Sequence, residues 1–161
     1  MTDTYIWQKV RQRFLAIDAT LKNTDGTEIN IIQKEYDDNG EVTAYVNIVE
    51  PNDTKKRNEL LSKKNIWFEI FPLHTQPHQQ ELGSVGRNRW NFGLQININS
   101  PRDFGTYEID TVYDAIARQF KRGDIFDGIR VLQTAYRSSA RMHDDFFSVP
   151  VTVMVQADLD N

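Results

Sequence analysis

The stretch that decides the fold is residues 90–99, WNFGLQININ. Trp90, Phe92, Leu94, Ile96 and Ile98 alternate with Asn91, Gly93, Gln95, Asn97 and Asn99. Strand side chains point to opposite faces in turn, so this run places an apolar stripe on one side and a row of neutral amides on the other. A strand face open to bulk water usually carries Lys, Glu or Thr. Asn is depleted in strands, and amides without charge predict a face that meets a partner or a water-filled space.

The flanking segments predict the rest of the sheet. Residues 66–71, IWFEIF, read as a nearly continuous apolar strand ended by Pro72, and 72–89 as one long polar loop. Loops beyond about 12–15 residues within a compact domain are usually functional or mobile. Downstream, Ser100-Pro101 breaks the ladder and Gly105-Thr106 opens a helix. Its apolar stripe is Ile109, Val112, Tyr113, Ile116 and Phe120, with Gly123 as the stop. Residues 129–136 and 146–156 read as strands. Phe147, Val149, Val151, Val153 and Val155 share one face of the second, and Pro150 predicts an edge position or a bulge.

Upstream, residues 4–17 predict a helix with Ile6, Val10, Phe14 and Ile17 on one stripe, capped by Thr2 or Thr4. Lys9, Arg11 and Arg13 lie off that stripe. Residues 28–36 and 41–49 predict a hairpin about Asp38-Asn39-Gly40, within an arm spanning 24–49. Residues 52–64 carry five basic and two acidic side chains and read as a polar loop with at most one helical turn. Trp7, Trp67 and Trp90 fall in apolar runs and are expected as core anchors. The expected architecture is a single α+β domain over 1–161. It has a mixed, mainly antiparallel sheet, two helices packed on one face, and a β-hairpin arm.

Composition bounds the function. The chain has 161 residues and a formal net charge of −4, without the basic excess of a dedicated nucleic-acid binder. It has no cysteine, which excludes disulfides, thiolate catalysis and cysteine-ligated zinc. The start, MTDTYIWQKVRQRF, holds no apolar core of the signal-peptide kind, and no run reaches the ~18 apolar residues of a membrane span.

No constellation predicts catalysis, so no catalytic, cofactor or metal residue is expected; the competing enzyme reading is a small metal-dependent hydrolase using His74, His78 or His143. His74 and His78 have the i, i+4 spacing that aims two ligands at one metal on a helix, but Pro72 and Pro77 oppose a helix there. Glu35, Asp37, Asn39, Gly40 and Glu41 mimic a calcium loop, yet its twelfth position would be Val46, where a bidentate Glu is required. A tight turn explains the same residues. His143, Asp144 and Asp145 read as a turn between strands, and Gly83 to Arg87 lacks the spacing and lysine of a phosphate loop. The cations Lys55, Lys56 and Arg57, Lys63 and Lys64, and Arg87 and Arg89 could each contact phosphate or an acidic partner.

Several of these segments together resemble a known family. The strand ending in Phe71-Pro72 leads into a polar loop with Leu82-Gly83. Arg87 and Arg89 then precede WNFGLQININSP, and a Gly105-led turn enters a helix with Ala115, Ile116, Ala117 and Phe120. Val42 to Pro51, with Tyr45 and Asn47, is similar to the family's first strand, and FFSVPVTVMV to its last. In these features the chain resembles the tail-terminator proteins of long-tailed bacteriophages. The hairpin arm and the 52–64 segment are longer than in the short members. They leave room for a head-completion or connector ring of the same neck.

The resemblance implies a structural virion protein, not an enzyme. It would form a hexameric ring that caps the tail tube, ends its polymerisation, and offers a docking surface to the head-side connector. Implied partners are other copies of the chain, the tail-tube protein and the head–tail connector protein, with genomic DNA passing through the lumen without specific binding. No cofactor and no membrane are implied. The location would be the head-proximal end of the virion tail, reached from the host cytoplasm during assembly. Residues expected at subunit or tube contacts are Arg87, Arg89, Asn91, Gln95, Asn97, Lys55, Lys56 and Arg57.

Overall fold

A computed structural model describes residues 3–22, 26–61, 65–74, 78–79, 87–101, 107–143 and 145–160. Helix α1 (Asp3–Leu15) is followed by the short strands β1 (Thr20–Lys22) and β2 (Glu28–Asn30). Strands β3 (Lys34–Tyr36) and β4 (Val42–Tyr45) form the arm, and β5 (Ile48–Val49) leads to helix α2 (Thr54–Leu61). Next come β6 (Trp67–His74), β7 (His78–Gln79) and β8 (Arg87–Pro101), then helix α3 (Tyr107–Gln119). The chain closes with β9 (Ile125–Phe126), β10 (Ile129–Arg137), β11 (Arg141–Met142) and β12 (Phe146–Asp160).

The long strands β8 and β12 pair antiparallel over fifteen consecutive residue pairs, from Pro101 opposite Phe146 to Arg87 opposite Asp160. Their apolar positions face the same way: Phe92, Leu94, Ile96 and Ile98 lie opposite Val155, Val153, Val151 and Val149. A slip of one residue would turn both stripes to the wrong side, so the pattern fixes the register. Around this pair the main sheet runs β5-β6-β8-β12-β10-β9, with β7 on β8 and β11 on β12. The pairings are antiparallel except β5 on β6, so the sheet is mixed and mainly antiparallel. The α+β class is as expected.

Helices α1 and α3 supply the second layer. Ile6, Val10 and Phe14 join Ile109, Val112, Ile116 and Phe120 against the apolar face of β6, β8, β10 and β12, all buried in one cluster. Phe14 meets Phe68 edge-on at 5.7 Å. Trp7 and Trp90 are only partly buried at the margin of this core, whereas Trp67 is buried on the opposite face of the sheet.

Six expectations about local structure change. Of the expected hairpin, only 34–36 and 42–45 pair; residues 28–30 pair back onto β1, and 48–49 join β6 in parallel. The reason is Ile31 and Ile32, which drop into the core and interrupt the strand. Asn47, 3% exposed, pins that break. It accepts from the Gln33 N–H at 3.0 Å and donates to the Ile31 and Ile66 carbonyls at 2.8 and 3.5 Å. Pro72 does not end β6, which continues to His74. Strand β5 stops pairing at Glu69, so the later residues of β6 lie at an edge and tolerate a missing N–H.

Pro150 sits in a central strand, not at an edge, and the β8–β12 register passes it without a bulge. Its other side faces the gap between β10 and β11, where Ser138 N–H donates to its carbonyl at 2.8 Å. The 52–64 segment contains the two-turn helix α2, whose Asp53 carboxylate accepts the Lys56 N–H at 3.2 Å. The expected 72–89 loop is partly strand: β6 reaches His74, β7 pairs with β8, and β8 starts at Arg87. Gly123 lies in a turn beyond α3, with φ +89°, rather than at the helix stop. Thr2, Gly105 and Thr106 lie outside the described residues, and Thr4 falls within the first turn of α1.

Two substitutions test this packing by chemical denaturation. Ile116→Ala, at a fully buried position, is expected to cost about 2–5 kcal/mol. Asn47→Ala is expected to cost about 1–3 kcal/mol, because it strips buried backbone groups of their partner. A loss below roughly 0.5 kcal/mol, the surface value, would reject either assignment.

Candidate functional site

The candidate site is the face of the main sheet opposite α1 and α3. Period-2 alternation delivers its residues from three adjacent strands. Glu69, Asn97 and Pro150 lie side by side across β6, β8 and β12, then Phe71, Gln95 and Thr152, then Leu73, Gly93 and Met154. Beyond them Asn91 faces Gln156, and Arg89 faces Asp158. Among the described residues, α2 is the element that packs on this face, and it covers one end. There Leu60 closes a separate buried cluster with Val49, Trp67 and Phe146. Gln95, Asn97, Phe71, Leu73, Thr152, Met154 and Gln156 stay half-buried.

The amides are hydrogen-bonded among themselves. Gln95 Nε2 donates to Asn97 Oδ1 at 3.0 Å, and Gln156 Nε2 donates to Asn91 Oδ1 at 2.9 Å. Asn99 Nδ2 donates to Glu69 Oε1 at 3.1 Å, while Glu69 Oε2 takes the Arg57 guanidinium at 3.3 Å. At the other end, Arg89 grips both carboxylate oxygens of Asp158, at 2.9 and 3.2 Å. That hydrogen-bonded pairing raises the guanidinium's pKa above its usual value, against the opposing effect of desolvation. Charge is thus confined to the two ends of a neutral stripe. Ten residues separate Asn99 from Arg89, roughly 33 Å of extended chain.

An apolar notch interrupts the amides at Gly93. A Cβ there would lie 2.8 Å from Leu73 Cβ and 3.1 Å from Met154 Sδ, so both neighbours close over the bare backbone. Glycine is needed at this point for space.

Of the residues expected at contacts, Arg89, Asn91, Gln95 and Asn97 do share this face, and Arg57 joins it from α2. Arg89 is a strand residue already paired with Asp158, not a loop residue. Lys56 Nζ donates to the Tyr45 carbonyl at 2.5 Å, away from the stripe, and Lys55 is exposed on α2. Arg87 lies in β8 opposite Asp160, and its side chain is outside the description, as are Lys63, Lys64, Leu82, Gly83 and Gly86. Glu69, Phe71, Leu73, Thr152, Met154 and Gln156 belong to the face and were not singled out in the sequence. Their signal is the second phase of the same alternation: Trp67-Glu69-Phe71 between Phe68 and Ile70, and Thr152-Met154-Gln156 between the valines.

The chemical candidates take simple structural places. His74 meets Phe92 edge-on at 5.5 Å. His143 stacks on Phe146 at 4.4 Å, and its N–H closes a turn onto the Phe146 carbonyl at 2.8 Å. The His78 side chain and Asp144 are outside the description. In the calcium-like segment, Asp37 Oδ1 accepts the N–H groups of Asn39 and Glu41, both at 2.9 Å, and Gly40 has φ +79°, which is the expected turn. Among the described residues no three His, Asp or Glu side chains are grouped to hold a metal ion. No described helix is long and apolar enough to cross a membrane.

Gly93→Ala tests the notch. Displacing Leu73 or Met154 is expected to destabilise the chain by about 1–3 kcal/mol, the range for overpacking, in urea unfolding. An unchanged midpoint would show that the strands move apart freely.

No family model matches the sequence, and no curated protein matches it. A solved structure known only by a sequence identifier is similar, with a TM-score of 0.50 and 13% identity over 71% of this chain and 79% of that one. The likeness concerns the fold alone.

Proposed function

We propose that this chain is a ring-forming structural subunit of the tail-terminator kind. It caps the tail tube of a long-tailed bacteriophage, ends tube growth and docks the head-side connector. The observation that carries the reading is the open face of the sheet. It is broad and half-buried, neutral along its middle, and not covered by either helix of the second layer. A face whose amides already pair with each other is pre-ordered, and an assembling surface built from ordered side chains loses less freedom on contact. The apolar notch of Leu73 and Met154 gives the contact an anchor among polar neighbours, the arrangement common to protein interfaces.

A head-completion ring of the same neck is the second reading, for which the exposed arm leaves room. The two readings differ in phenotype. In a phage carrying this gene, Gln95→Arg with Thr152→Arg places two adjacent charges on the open face without touching the core. A terminator damaged in this way is expected to give overlong tail tubes, counted by electron microscopy. A damaged connector gives tails of normal length that fail to join heads. Normal tails and normal infectivity in this variant, with the protein folded, would reject both readings.

A further inference from the structure

The two edges of the main sheet carry opposite charge, and each also exposes an apolar side chain. At the first edge stands the arm. Strands β3 and β4 pair only with each other, and every residue from 35 to 44 is exposed. A two-stranded ribbon alone in water is marginally stable. Yet this one places Tyr36, 61% exposed, directly opposite Val42, 41% exposed. Glu35, Asp37, Asp38 and Glu41 give the arm four carboxylates against one cation, Lys34 at its base. None of the four forms an ion pair among the described residues. The arm continues through Val46 and Asn47 into β5, the first strand of the sheet.

The opposite edge is β9. Ile125 there is 64% exposed and lies opposite Arg130 in the ladder. Lys121 and Arg122, both exposed, lie in the turn that leads into β9, whereas Arg118 lines a recess with Asp18 on the α3 side. Lys121, Arg122 and Arg130 form no ion pair among the described residues. Of the nearby carboxylates, Asp124 is held by Arg13 at 3.3 Å, which leaves Asp127 at the β9–β10 turn. Five strand spacings, roughly 24 Å, separate the two edges.

We infer that the acidic arm docks on the basic β9 edge of a second copy of this chain, seating Tyr36 and Val42 against Ile125. The inference rests on the ring reading and names the subunit contact that builds the ring. Arm-to-arm pairing by a two-fold axis would set four carboxylates against four, which like-charge repulsion opposes. Complementary patches on opposite edges make a head-to-tail contact, and repetition of such a contact closes a ring when the rotation permits. The arm would gain in the assembly the packing that it lacks alone.

Charge reversal tests the contact, read as solution mass by sedimentation at several protein and salt concentrations. Far-UV circular dichroism confirms that each variant is folded. The parent is expected to associate, and to do so less as salt screens the charges. Glu35→Lys with Glu41→Lys reverses the arm and leaves the turn-forming Asp37 alone. Lys121→Glu with Arg122→Glu reverses the edge. Each pair of changes is expected to weaken self-association by at least about tenfold. Mixing the two variants restores opposite charges at every contact, and association is expected to return. It should also return when all four changes are placed in one chain. A parent that is monomeric at all concentrations would overturn the inference, as would reversed variants that associate like the parent or a mixture that fails to recover. Binding of DNA by the β9 edge, lost on reversal while self-association persists, would likewise overturn it. The outcomes separate from the tail phenotype. Normal capping with no arm contact leaves the ring reading standing, and arm-dependent association without capping leaves only the contact.

Discussion

Everything in this molecule hangs on the fifteen-residue register between β8 and β12. Both strands alternate strictly, and both put aliphatic or aromatic side chains on the same side. Each inner pair, such as Ile96 with Val151, buries surface that a one-residue slip would expose. Strand β6 extends this register on one side and β10 on the other, the latter by taking two irregularities, between Val131 and Gln133 and between Gln133 and Tyr136. The irregularities fall in the strand nearer the edge, where a local twist disturbs fewer neighbours.

A sheet built this way has two chemically distinct sides, and only one of them is sealed. The inner side is apolar and takes α1 and α3. The outer side has amides in its middle, a glycine notch, and ion pairs at its ends. Leaving such a face half-buried costs the monomer little, because an amide is satisfied by a neighbour or by water. A row of leucines there would instead drive indiscriminate association. The amides therefore suit a surface that is soluble alone and can still be covered, which is what a subunit entering an assembly requires.

The charges add direction to this plan. Among the described residues, four carboxylates without an ion pair lie together on the arm, and Lys121, Arg122 and Arg130, also without one, flank β9. Elsewhere five ion pairs form: Arg11 to Glu50, Arg13 to Asp124, Arg57 to Glu69, Arg89 to Asp158 and Arg137 to Asp110. In the proposed contact, charges of opposite sign at opposite edges would orient an approaching copy, since exposed charges steer encounter more than they add affinity.

The sequence by itself determined the periodic elements. The stripes Ile6-Val10-Phe14 and Ile109-Val112-Ile116, and the alternations of 90–99 and 146–156, each predict an element whose buried face matches the structure. Periodicity is a local property, so it survives without knowledge of neighbours. The row Asn91, Gln95, Asn97 was legible for the same reason. Tertiary structure decided what local patterns leave open. Pro72 reads as a strand end and Pro150 as an edge or a bulge, yet both sit inside regular strands, because the neighbouring strand beside each lacks a ladder bond to lose. The expected long hairpin was divided because Ile31 and Ile32 bury better in the shared core than they pair in a ribbon. Which residues of β6 and β12 accompany the amides on the open face, and that the acidic arm and the cations flanking β9 lie at opposite edges, follow from strand order. Strand order is set by contacts between residues far apart in the chain, which no window of sequence contains.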